Sequence, residues 1–327
     1  MSVRLSSTGL AVSGEGSLAQ AAGFLDAVLR GLGQVMLQNN SYAGLLFLIG
    51  IFCHSTLFGL AALVGTTVST AAAKLLAVEP DQVCDGLFGF NGALVAIALL
   101  YFLHPEGLTW AYVVLAAAGS TIVMAAMLRL TQVWKVPALT APFVFTALVF
   151  LLACARFGRL HSTDVLPTAG LPASTAVEGV VSLSTVVEGL FNGLAQVFFQ
   201  SGVVTGVLFA LGLLVSSRRA GLAALLGSLT GLLVAWGMGA AEPAIRSGAF
   251  GFNSVLTAIA LGAVFFAFSW TSAAYALLAT ITTAVVFAAV SAALQPLGMP
   301  ALTLPFVLVV WVFLLASPLF RNLRAAS

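Results

Sequence analysis

Residues 86–99 read GLFGFNGALVAIAL and residues 248–261 read GAFGFNSVLTAIAL, identical at ten of fourteen positions with a shift of 162. The same shift carries Gly31, Leu32, Gln34, Val35 and Gln38 onto Gly193, Leu194, Gln196, Val197 and Gln200. It also carries Gly44, Leu46, Phe47 and Gly50 onto Gly206, Leu208, Phe209 and Gly212. After one inserted residue, PALTAPFV (137–144) matches PALTLPFV (300–307). Apolar sequence yields chance matches among Leu, Ala and Val, but shared Asn, Gln, Gly and Pro at a nearly constant shift mark a duplication.

Composition says where such a chain lives. Of 327 residues, 61% are hydrophobic and 7% charged, against roughly 25% charged in a soluble globular domain. Twelve basic and ten acidic side chains cannot cover a water-exposed surface of this size. A soluble enzyme and a disordered chain are excluded, and a net charge of +2 with no basic run excludes nucleic acid as a partner. Cys53, Cys84 and Cys154 have no metal-site spacing and cannot all pair. His54, His104 and His161 are as scattered, so no metal or cofactor is expected. The chain reads as an all-α polytopic membrane protein.

A spanning helix needs about 20 mainly apolar residues. Cutting at charged and Pro/Gly/Asn clusters gives spans near 41–55, 57–78, 86–103, 109–130 and 137–155, then 203–216, 219–236, 248–267, 270–293 and 300–318. Apolar stretches at 24–38 and 188–200 precede each set, too short and Gln-containing to cross alone. They fit re-entrant half-helices, whose irregular ends are tolerated inside protein or along a cavity. The expected organisation is a mobile, uncleaved tail (1–20), a first repeat (21–155), a linker rich in Pro, Ser, Thr and Gly (156–185), a second repeat (186–318) and a C-terminal tail (319–327).

Five spans per repeat is an odd number, so the second copy enters the membrane from the opposite side, giving an inverted repeat around an in-plane pseudo-two-fold axis. With the C-terminus cytoplasmic, Arg4, Lys74, Arg129, Lys135, Arg218, Arg219, Arg321 and Arg324 fall inside, and Arg156, Arg159 and Arg246 outside. That asymmetry follows the positive-inside rule and places both termini in the cytoplasm.

Three doubled elements could line a central path. Phe90 and Leu94 share one helix face, as do Phe252 and Leu256, and the pseudo-axis sets the two faces opposite one another; the competing reading is plain helix packing. Asn91 and Asn253 fit the holding of helix ends better than contact with a solute. Pro142 and Pro305, placed inside helices, would free the carbonyls of Ala138 and Ala301. Thr140 and Thr303 add hydroxyls to that row of acceptors, and a simple kink is the alternative. Gln34 and Gln196, with Val35 and Val197 beside them, need partners for amides in an apolar setting; Gln38 and Gln200 fit bonding between helices. Asp26 matches Glu188 at the expected start of each half-helix, where the dipole favours a carboxylate, and no basic partner recurs with them.

The doubled GxFGFNxxLxAIAL and PALTxPFV segments, with a Gln in each preceding half-helix, resemble the urea transporter family over about residues 24–318, and its bacterial members above all. The resemblance implies inverted five-helix repeats, a homotrimer in the bacterial inner membrane, a pore in each protomer, and urea moving down its gradient. On it, Phe90, Leu94, Phe252 and Leu256 are slot residues facing a flat solute. Thr140 and Thr303 are central threonines beside carbonyl ladders, and Gln34 and Gln196 meet urea at the pore ends. Val197 matches a slot-lining position, as does Leu37 through its mate Phe199. Some relatives carry Glu at Gln196 and an aromatic at Leu37.

The rivals are a channel for ammonia or another small neutral amide or amine, a proton-coupled transporter using Asp26 or Glu188, and a membrane-embedded enzyme. The histidines do not pair by repeat as an ammonia path requires, neither GFN is followed by Pro as in a water-channel signature, and no catalytic constellation recurs. No enzyme activity is expected.

Overall fold

A computed structural model of the chain describes residues 2–13, 16–172 and 177–326. A two-stranded hairpin, β1 (Ser2–Leu5) and β2 (Leu10–Ser13), leads into α1 (Ser17–Gln34), α2 (Ser41–His54) and α3 (Thr56–Leu75). The short α4 (Pro80–Cys84), then α5 (Phe90–Phe102), α6 (Gly107–Gln132) and α7 (Ala141–Cys154) complete the first half. The second half repeats this series as α8 (Leu183–Ala195), α9 (Val203–Ser216), α10 (Arg218–Gly237), α11 (Glu242–Arg246), α12 (Gly251–Ile259), α13 (Trp270–Leu294) and α14 (Leu304–Ala316). Each helix of the first half thus has a mate, in the same order, in the second.

Helices α3, α6, α10 and α13, and the segment Glu242–Val264, are long and apolar enough to cross a membrane. The stretch from Leu183 to Phe198 bends by 70° into α9, so the two do not form one straight helix. Such turns need close backbone approach, which small residues permit where lipid supplies no hydrophobic drive between helices. A Cβ on Gly44 would lie 1.8 Å from the carbonyl oxygen of Leu29, and one on Gly206 would lie 2.2 Å from that of Phe191. Gly44 and Gly206 are repeat mates, as are Leu29 and Phe191, so one contact is made twice.

The halves meet through α2 and α9. The rings of Phe47 and Phe209 sit 5.4 Å apart. A Cβ on Gly50 would strike the Phe209 ring at 2.7 Å, and one on Gly212 would strike Phe47 at 2.6 Å. The contact is reciprocal: each residue touches the mate of the residue that touches its own mate.

Three expectations change. Pro142 and Pro305 do not kink spans; each lies in the first turn of its helix, where a missing N–H costs nothing and the fixed φ suits the helix. The PALT stretch before each is a turn, with Leu139 and Leu302 left-handed at φ 52° and 50°. The carbonyls of Ala138 and Ala301 accordingly accept the N–H groups of Ala141 and Leu304 at 3.2 Å each and are not left free by a kink. Second, the tail expected to be mobile carries the hairpin, α1 begins at Ser17, and Ser41 N–H donates to Thr8 O at 2.9 Å while Leu10 N–H donates to Asp26 Oδ1 at 2.8 Å.

The third concerns the inserted residue. Mates are offset by 162 through α5 and α12, but the backbone bridges Leu103–Ser162 and Phe266–Ala325 are offset by 163. Between those points, Ala260–Val264 forms a π-helical turn where α5 stays α-helical. The extra residue is absorbed as a bulge, the usual form of π helix in proteins.

Candidate solute pathway

The N-terminus of α7 explains why Thr140 faces inward. Thr140 is the N-cap, a position where threonine ordinarily accepts a hydrogen bond from its own first turn, yet its hydroxyl makes no such bond. The first-turn donors are met otherwise: Ala141 N–H by Ala138 O, Val144 N–H by Thr140 O, and Phe143 N–H by Asn91 Oδ1 on α5 at 3.0 Å. The second half repeats this, with Phe306 N–H donating to Asn253 Oδ1 at 3.2 Å, and Asn253 Nδ2 donating to Leu302 O at 3.1 Å. The asparagines of the two GFN triplets are therefore helix caps supplied by a neighbouring helix, as their sequence context suggested.

Freed from capping, the two threonines meet. Thr140 Oγ1 and Thr303 Oγ1 lie 2.6 Å apart, buried, with one hydroxyl donating to the other. A residue that bonds to its own repeat mate lies where the halves adjoin.

Helices α1 and α8 end in matching turns. Leu37 and Phe199 take left-handed conformations, φ 60° and 59°, and their N–H groups donate to Gln34 O and Gln196 O at 2.9 Å each. Closing bonds run from Gln38 N–H to Gly33 O and from Gln200 N–H to Ala195 O. This is a Schellman-type end with a non-glycine residue in the left-handed position. Gln38 Nε2 and Gln200 Nε2 brace it by donating to Met36 O and Phe198 O, so those amides serve their own turns and do not bridge helices. At one end Gln34 Nε2 donates to Asp85 O at 2.9 Å, and Asp85 Oδ1 accepts from Asn39 Nδ2 at 2.8 Å.

Gln196 lines a cavity of about 710 Å³ together with Val197, Phe252 and Thr303. Its walls are mostly apolar and aromatic, including Tyr101, Phe199, Phe250 and Phe287. Its rim takes Pro167, Thr168 and Pro172 from the inter-repeat segment, all exposed. The cavity therefore runs from that exposed segment down to Thr303. Thr140 adjoins it through its bond to Thr303. Phe90, Leu94 and Leu256 pack in the buried core, the two leucines without exposure; Gln34 and Leu37 are half-buried and do not line this cavity.

The acidic pair differs from expectation. Asp26 lies well inside α1, ion-paired with Arg30 one turn on. Glu188 pairs with Arg246 at 2.7 Å, and Arg246 also holds Glu242. Each carboxylate has a basic partner after all. Repetition hid this, because Arg30 aligns with Asn192 and Arg246 with Cys84, so the partners come from different positions in the two halves.

The family model described as "Urea transporter" matches residues 25–318, nearly all of this fold. The chain belongs to the urea transporter family. It is 32% identical over 302 residues to urea transporter 1 of Ovis aries, covering 91% of this chain and 78% of that one. It is 30% identical over 298 residues to urea transporter 1 of Rattus norvegicus, covering 90% and 77%. Within this member of the urea transporter family, the cavity residues missed by the sequence reading include Tyr101, Phe250, Phe287 and the linker trio. Tyr101 could have been found by extending the Phe90/Leu94 stripe one further pair of turns, to i+11. The linker residues carry no periodicity or repeat, and nothing in the sequence singles them out.

Proposed function

We propose that urea permeates passively, as through a channel, along a path between the two repeats of each protomer. Gln34, Leu37, Phe90, Leu94 and Thr140 line it from one half, and Gln196, Val197, Phe252, Leu256 and Thr303 from the other. The observation that carries this reading is a largely apolar, aromatic cavity that ends on a threonine bonded to its own repeat mate. Urea is planar, with N–H donors on two edges and a carbonyl opposite. Apolar walls sandwich its faces while threonine hydroxyls and turn carbonyls accept from its amines. No charged side chain is among the proposed lining, so a hydrated ion finds nothing to replace its water. Several weak contacts in series favour passage over retention.

The finer topology belongs to the same proposal: repeats 21–155 and 186–318 inverted in the membrane, both termini cytoplasmic, and a homotrimer in the inner membrane with one path per protomer. Reciprocal packing of Phe47 and Phe209 against Gly212 and Gly50 supports the two-fold relation. Uncoupled flow is supported by the place of Asp26 and Glu188, each engaged by an arginine and neither among the residues that line the cavity.

Stopped-flow urea flux in proteoliposomes, with and without an imposed pH gradient, tests the proposal. Gradient-driven urea flux indifferent to the proton gradient is expected. Uphill accumulation driven by protons, or no urea flux at all, overturns it.

A further inference from the structure

A second groove, of about 580 Å³, lies between α10, the π turn after α12, and α13, and shares no lining residue with the cavity that holds Thr303. Its floor is made of small residues, among them Gly227, Ala258, Gly262 and Ala273. Leu222, Leu226 and Leu277 wall it and are more than half exposed. Arg219, Phe268 and Trp270 stand at its head. From Arg219 to Thr230 the groove follows twelve residues of α10, or roughly 16 Å over the steps between them at about 1.5 Å each. That is the depth of one leaflet of a hydrocarbon core about 30 Å thick.

Charge and aromatic placement fit a lipid at the head of this groove. Trp270 is 85% exposed and Phe268 64%, as for residues of an interfacial belt. Arg219 reaches Gly262 O and Phe266 O at 3.5 and 3.4 Å through Nη2 and lies 5.9 Å over the Phe268 ring. Neither Arg218 nor Arg219 forms an ion pair among the described residues. The remaining guanidinium donors of Arg219 are available to an anion. Ala267 N–H donates to Arg324 O at 2.9 Å, bringing the C-terminal arginine segment to the same end, and no Asp or Glu occurs after Glu242.

The first half differs at the corresponding positions. At the positions of Arg219 and Ala273 it carries Leu57 and Trp110, the latter half-buried against the core, and it lacks the π turn. Three departures from the repeat thus coincide in one place. We propose that this groove binds one anionic phospholipid, an acyl chain along the small-residue floor and the phosphate on Arg219.

Native mass spectrometry of the purified protein, titrated with phosphatidylglycerol or phosphatidylcholine, tests this. The unmodified protein should retain phosphatidylglycerol in preference. Arg219→Gln should lower that retention about fivefold, the scale of one interfacial arginine, and Ala273→Trp should lower it by filling the floor. In both variants the oligomer mass, thermal midpoint and urea flux should stay unchanged. Equal retention of the two lipids by the unmodified protein overturns the proposal, as does undiminished phosphatidylglycerol binding in both variants. Dissociation of the oligomer by Ala273→Trp also overturns it, by assigning the groove to a contact between protomers.

Discussion

Thr140 and Thr303 occupy capping positions without capping, because Asn91 and Asn253 do that work from α5 and α12. This division assigns separable consequences to each residue type. Thr140→Val and Thr303→Val should each slow urea flux by about two- to tenfold, the span of one hydrogen bond of 0.5–1.5 kcal/mol, and leave the thermal midpoint close to that of the parent. Stopped-flow light scattering on proteoliposomes reads the rate; unaltered rates in both variants would remove the threonines from the path. Asn253→Ala does the opposite. It strands the Phe306 N–H and Leu302 carbonyl in a buried site, at a cost of about 1–3 kcal/mol, and the detergent-solubilised protein should melt several degrees lower. An unchanged melt would mean that water or a shifted turn replaces the cap.

At the scale of elements, glycine spacing sets the fold's tightest crossings. Gly44→Ala and Gly206→Ala each force Cβ into a carbonyl oxygen of the preceding half-helix, so both should lose monodisperse protein on heating in fluorescence-detected gel filtration. Gly119→Ala, with nothing within 4 Å of the added carbon, should match the parent; equal loss in all three would sink the crossing argument. The sequence made most of these elements legible, because apolar length and repeat spacing mark helices that lipid and packing both favour. It misplaced the prolines, since Pro-x-x-x-x-Pro reads alike whether the second proline kinks a long helix or opens a short one. The Asn91 side chain decides between these from another helix. The one-residue insertion was visible, but not its form, because a π turn differs from an α turn only in which carbonyl each N–H selects. The hairpin was illegible for a different reason: Ser- and Gly-rich residues gain their order from Asp26 and Ser41, both distant in sequence.

For the whole molecule, the inter-repeat segment is more than a tether. Pro167, Thr168 and Pro172 form part of the cavity's rim. With Cys53, Cys84 and Cys154 replaced by serine, Thr168→Cys should be open to a bulky thiol reagent, and its modification should slow urea flux several-fold. Full modification without any change in flux would place the route elsewhere. The site was legible in proportion to its repetition. Gln196, Phe252 and Thr303 announced themselves through their mates, whereas linker and aromatic residues belonging to one half alone did not. The meeting of Thr140 with Thr303 has a historical consequence. If two identical copies once met there, a single codon set both hydroxyls, and every change to that contact was made twice. Fusion into one chain ended that obligation. Each half is free to drift, and one repeated amide now has two settings: Gln34 is tethered to the Asp85 carbonyl, while Gln196 stands on the wall of the cavity.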